Sequence, residues 1–152
     1  MATEQVVFAR IDTADGMPYL EGATCSELVV AALFGGQGKN WFDVLSFVVL
    51  PSEIQLLFIP RRVALSLLVT SLEPELYPQI SVLKSIGSHV LDPDFYREKV
   101  DFNEEVRQRL RWMHLAPVRA RLTTLAESYP YSSAHPRYRE MIYPLQKVTL
   151  SF

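Results

Sequence analysis

Two nearly unbroken apolar runs meeting at a proline constrain this chain more than any other feature. Phe42–Leu50 (FDVLSFVVL) and Ile54–Ile59 (IQLLFI) are each strand-sized and rich in β-branched and aromatic residues. They are joined at Leu50-Pro51-Ser52-Glu53, and a proline cannot donate to a sheet ladder, so the junction reads as a turn and the pair as a hairpin. Neither run alternates polar with apolar, which predicts burial on both faces and a place in the middle of a sheet.

The flanking segments extend this pattern. Gln5–Ile11 (QVVFARI) predicts a short strand ended by the turn-prone Asp15-Gly16. Thr24 or Ser26 can cap a helix reaching about Phe34, with Gly35-Gly36 ending it and Gly35–Gly38 forming a flexible turn. Arg61–Leu72 has the apolar density of a buried helix, whereas Pro74 and Pro78 interrupt the weaker pattern over Glu73–His89. Phe95–Val100 predicts a further strand. Asn103 is placed to cap a helix whose apolar side is Val106, Leu110 and Met113, with Glu104 and Glu105 at its positive end and Pro117 stopping it. Strand, helix, hairpin, helix, strand, helix predicts an α+β fold: a ferredoxin-like antiparallel sheet with helices packed on one face. The 152 residues carry no internal repeat and no visible linker, so residues 1–152 are expected to form one domain.

Charge and cysteine content narrow the function. No apolar stretch reaches the ~18 residues of a membrane span, and the first ten residues lack the pattern of a signal peptide. The single Cys25 excludes an internal disulfide and a cysteine-based metal cluster. A cytoplasmic protein without a membrane partner is the expectation. The net charge of −2 argues against a strong non-specific hold on nucleic acid. The charge is unevenly placed, however: residues 1–60 carry two basic against seven acidic groups, and residues 61–152 thirteen against ten. The basic surplus is densest from Arg107 to Arg121, making Arg107, Arg109, Arg111, Arg119 and Arg121 the candidate nucleic-acid contacts.

Two segments carry a family likeness. Phe47–Phe58 (FVVLPSEIQLLF) resembles the strand–Pro–strand segment VMPNHVHLL of single-tyrosine, HUH-type transposases of the REP-associated kind. Asp94–Tyr138 is similar to that family's run of a strand ending near FYDR, a helix bearing YIHxNPVKAGLV and a closing PEDYPWSS. His114, Pro117, Val118, Arg119 and Ala120 stand here in that order, and Tyr129-Pro130-Tyr131-Ser132-Ser133 replaces YPWSS.

In the family, as the resemblance implies, two imidazoles at i and i+2 on a strand bind one divalent cation that polarises the scissile phosphate. A helix tyrosine attacks phosphorus and stays attached to the 5′ end. An asparagine four residues later completes the metal site. This chain departs from the pattern at all four places: Glu53 and Gln55 stand at the histidine positions, Trp112 at the tyrosine and Ala116 at the asparagine. Tryptophan cannot form a phosphoester and alanine cannot ligate a metal. No catalytic residue is therefore assigned and no cofactor is expected, although Glu53 and Gln55 could hold Mg²⁺ weakly through a carboxylate and an amide oxygen. Trp112 is expected to be mostly buried against the Glu53–Leu57 strand. His114 is expected to be structural, and Tyr96, Tyr129 and Tyr131 to pack.

The reading that follows is a catalytically silent transposase-like protein that binds single-stranded or hairpin DNA, with Trp112 able to stack on a base. One alternative is a scaffold or interaction module without nucleic acid, using the acidic half and an edge strand over Val148, Leu150 and Phe152, and a homodimer is compatible with it. A second is a residual metal-dependent nuclease with water replacing tyrosine.

Overall fold

The computed structural model describes residues 4–148. β1 (Val6–Asp12), α1 (Ala23–Gly38), β2 (Phe42–Leu50), β3 (Glu53–Pro60), α2 (Leu68–Leu83) and β4 (Tyr96–Val100) follow one another as βαββαβ. The four strands form one sheet in the order β2-β3-β1-β4, antiparallel at every pairing. This is the ferredoxin-like sheet expected from the element order. Among the described residues no helix is long and apolar enough to cross a membrane.

The period of two in β1 and β3 sorts their side chains into two cores. Val7, Ala9, Ile11, Ile54, Leu56 and Phe58 face α1 and α2, while Val6, Phe8, Leu57 and Ile59 face the opposite way. The βαββαβ unit thus keeps both of its helices on one face. The remaining helix, α3 (Asn103–His114), covers the other face through Val106 and Met113, followed by the one-turn α4 (Ala116–Arg119). Helices on one face therefore describe the unit, not the whole chain. The second covering layer follows from β1 and β3 having apolar residues on both sides, which demand burial on both.

Three local expectations differ from what forms. The hairpin pairs Phe42 with Pro60 through Leu50 with Glu53 as predicted, but β2 is an edge strand, not a central one. Its burial comes from the closing segment, where Val49 N–H donates to Tyr131 C=O at 2.8 Å and Ser133 N–H to Phe47 C=O at 3.0 Å. An edge covered in this way offers no free ladder to another chain. α1 runs through Gly35-Gly36 instead of ending there, because Gly36 lets the helix lie against the Phe42 ring: a Cβ would meet Phe42 Cζ at 2.5 Å. Ser26 does not cap α1; its hydroxyl donates to Leu20 C=O at 2.9 Å. α2 lies later than Arg61–Leu72 and contains both Pro74 and Pro78. Each proline is on the exposed side, while Leu68, Leu72, Leu76 and Ile80 face the core, so the carbonyls left unpaired can be met by water.

α3 begins at Asn103 with Phe102, not Asn103, in the capping position and without a side-chain cap. At the C-terminal end Leu145–Lys147 form a 3₁₀ turn and Val148 packs on the second core, so no edge strand runs through them. Thr149 to Phe152, including Leu150 and Phe152, lie outside the described residues.

Candidate nucleic-acid interface

The sheet face beneath α3 brings together most of the residues singled out from the sequence. The β1–β3 register sets Arg10 beside Gln55 and Asp12 beside Glu53, and the β1–β4 register sets Arg10 beside Tyr96 and Phe8 beside Glu98. Since Phe8 and Leu57 face α3, the strand period places Arg10, Glu53, Gln55, Tyr96 and Glu98 on that side too.

Gln55 is almost fully buried, at 3% exposure. Its amide N–H donates to Glu53 Oε2 at 3.1 Å, and its Oε1 has no hydrogen-bond partner. Such an orphaned acceptor costs free energy where it stands. The pair fits a divalent cation poorly, because the amide proton already occupies one Glu53 oxygen and the third position, Ala116, sits in the apolar core with Met113 and Tyr129. Among the described residues no three His, Cys, Asp or Glu side chains form a group able to hold a metal ion.

Trp112 corrects an expectation. It is 42% exposed and rests edge-on against Phe8 of β1, with ring centroids 6.1 Å apart, instead of filling a closed pocket on the Glu53–Leu57 strand. The guanidinium of Arg119 lies 4.4 Å from its ring centroid and that of Arg109 5.5 Å away. Arg109 also sits 4.4 Å over Phe8 and forms an ion pair with Glu98. These contacts hold Trp112 at the surface by cation–π attraction without covering it.

The five candidate arginines separate into distinct roles. Arg107 and Arg111 share Glu104, at 3.9 and 3.3 Å, so half of their charge is matched on the exposed side of α3. Arg109 is held by Glu98. Arg119 has Trp112 as its neighbour and no acidic partner among the described residues, and exposed Arg121 has none either. The structure adds two residues to this surface. Tyr96, expected to pack, is 48% exposed; its hydroxyl donates to Glu98 at 2.6 Å, which raises its pKa. Arg10 lies 5.7 Å over the Tyr96 ring. In the sequence Arg10 was visible only as a lone basic residue inside a strand.

His114 points inward, between two serines. Its Nε2 lies 3.1 Å from Ser46 Oγ and 2.9 Å from Ser133 Oγ, and burial pushes its pKa down to about 4. A β-bulge at Val44/Ser46 turns Ser46 toward α3 to make this contact. Tyr129 is buried and donates to Val49 C=O at 2.6 Å, and its pKa rises to about 12 through desolvation.

No protein-family profile and no curated protein matches the chain. Among solved structures it is similar to a REP-associated tyrosine transposase bound to a REP hairpin, with a TM-score of 0.68 and 15% identity over 95% of this chain and 85% of that one. At that identity the likeness establishes the transposase-like fold.

Proposed function

We propose that the chain binds single-stranded or hairpin DNA without cutting it, using the surface formed by Trp112, Arg119, Tyr96 and Arg10. The observation that carries this reading is Trp112, a large ring left 42% exposed beside an arginine with no acidic partner among the described residues. Every nucleobase has a π-face, so such a platform holds single strands with little regard to sequence, while the guanidinium meets phosphate. The similar transposase was solved with a hairpin bound, which makes a folded single strand the first ligand to test.

Silence toward the phosphodiester follows from side-chain chemistry. Tryptophan has no oxygen to attack phosphorus, and Glu53, Gln55 and Ala116 supply no strong cation site. Tyr96, the exposed hydroxyl on the same face, donates to Glu98, but no strong cation site beside it polarises a phosphate for attack. Any Mg²⁺ held at Glu53 and Gln55 would be weak.

The test is titration of a labelled DNA hairpin with a single-stranded flank, at low and moderate salt. Trp112→Ala should weaken binding roughly 10- to 100-fold, while lowering stability by only about 1–2 kcal/mol, since the ring is half exposed. Neither protein should leave a covalent adduct on DNA. Absence of binding at low salt would hand the surface to a protein-interaction role, and an adduct from the parent chain would end the silent reading.

A further inference from the structure

Beside Trp112 lies a cleft of about 410 Å³ between β4 and α3, and its polar groups differ from those of the surrounding platform. One wall is a single stripe of α3, Glu105, Gln108, Arg109 and Trp112, which face one another by helical spacing. The other wall is Glu98–Val100 of β4. Arg109 and Glu98 neutralise each other across the cleft. The Gln108 amide N–H is turned to Glu104 at 3.5 Å. What remains unmatched in the cleft, among the described residues, is the Glu105 carboxylate and the Gln108 carbonyl oxygen.

We infer that this cleft takes one unpaired nucleobase that carries an exocyclic amino group and discriminates against thymine. The inference rests on the single-strand-binding reading above. The unmatched Glu105 carboxylate in the wall repels phosphate, so a nucleotide enters base first and leaves its backbone outside, toward Arg119. Glu105 and Gln108 stand one helical turn apart and both present acceptors. An exocyclic amine carries two N–H bonds in one place and can satisfy both; the thymine imide carries one, which leaves a desolvated acceptor without a donor. Cytosine and thymine share a ring size and a stacking face, so comparing them isolates the amine.

The experiment measures anisotropy of labelled dodecamers of deoxycytidine and of thymidine, at low salt, with the parent protein, Glu105→Gln, Gln108→Ala and Trp112→Ala. The parent should hold the cytidine strand roughly tenfold more tightly. Glu105→Gln keeps the shape and adds a donor that thymine O4 can accept, so it should bring the two strands to near equality. Gln108→Ala should narrow the gap, and Trp112→Ala should weaken both strands alike. If the parent binds both strands equally, the cleft assignment fails while the nucleic-acid reading survives. If the preference persists in both Glu105→Gln and Gln108→Ala, the discrimination arises elsewhere and the assignment again fails. Binding of neither strand overturns both.

Discussion

The His114 imidazole shares one nitrogen between two serine hydroxyls that are themselves 2.9 Å apart, Ser46 on β2 and Ser133 in the closing segment. In that setting no carboxylate among the described residues meets a proton on the ring, and burial holds the pKa at about 4 against an ordinary 6.5. A histidine whose folded pKa is depressed takes up protons more readily when unfolded, so its contribution to stability is intact above about pH 6.5 and is lost as pH falls toward 4. Acidification from pH 7 to pH 5 should therefore lower the unfolding free energy by on the order of 1–2 kcal/mol. Urea denaturation at the two pH values checks this. His114→Gln, which cannot titrate, should flatten that part of the profile even though it folds less stably. At this scale the sequence was informative where chemistry alone decides, and silent where exposure decides. That Trp112 cannot act as a phosphoester-forming nucleophile follows from the indole itself. That it stays in solvent, held by Arg119 and Phe8, depends on how α4 returns over α3, which no spacing within α3 encodes. The exposure of Tyr96 and its place beside Arg10 lie beyond the sequence for the same reason: the two become neighbours only through the β1–β4 register.

Within α1, two adjacent glycines of identical local sequence character have opposite reasons to exist. Gly36 faces the Phe42 ring at a distance no Cβ could share, whereas a Cβ on Gly35 would meet open space. Gly36→Ala should thus cost roughly 1–3 kcal/mol by forcing helix and strand apart. Gly35→Ala should stabilise by about 0.5–1 kcal/mol through helix propensity. Thermal melts of the two variants moving in opposite directions would verify that α1 is continuous through the pair. A helix ending at Phe34 predicts instead that both changes are mild. The hairpin, by contrast, was legible almost to the residue, because Phe42–Leu50 and Ile54–Ile59 are apolar enough to allow nothing else. What sequence pattern could not supply was the edge position of β2. Its continuous burial imitates a central strand, and the cover comes from Tyr131 and Ser133, some eighty residues away. α2 was misplaced on the strength of its two prolines, which break helices when they face inward and are tolerated when they face water.

Over the whole molecule, the charge runs against a strong electrostatic grip. The chain carries −2 overall, and much of the basic surplus near α3 is already spent: Glu104 engages Arg107 and Arg111, and Glu98 engages Arg109. On or beside the proposed surface, the cations left without a close acidic partner among the described residues are Arg119 and Arg121, with Arg10 only loosely set 3.9 Å from Asp12. A protein that releases counterions from a single strand through two or three such groups should show a slope of log K against log salt of about −1.5 to −2. Affinity would then rest substantially on stacking at Trp112, a contribution that salt does not screen. The measurement is the hairpin titration repeated across a tenfold range of salt. Charge reversal at Arg119 should make the slope shallower by about one, whereas Trp112→Ala should shift the whole line downward and leave its slope unchanged. A slope steeper than about −3 would mean that Arg107 and Arg111 abandon Glu104 for phosphate. The ion pairs along α3 would then be latent phosphate contacts held closed until DNA arrives.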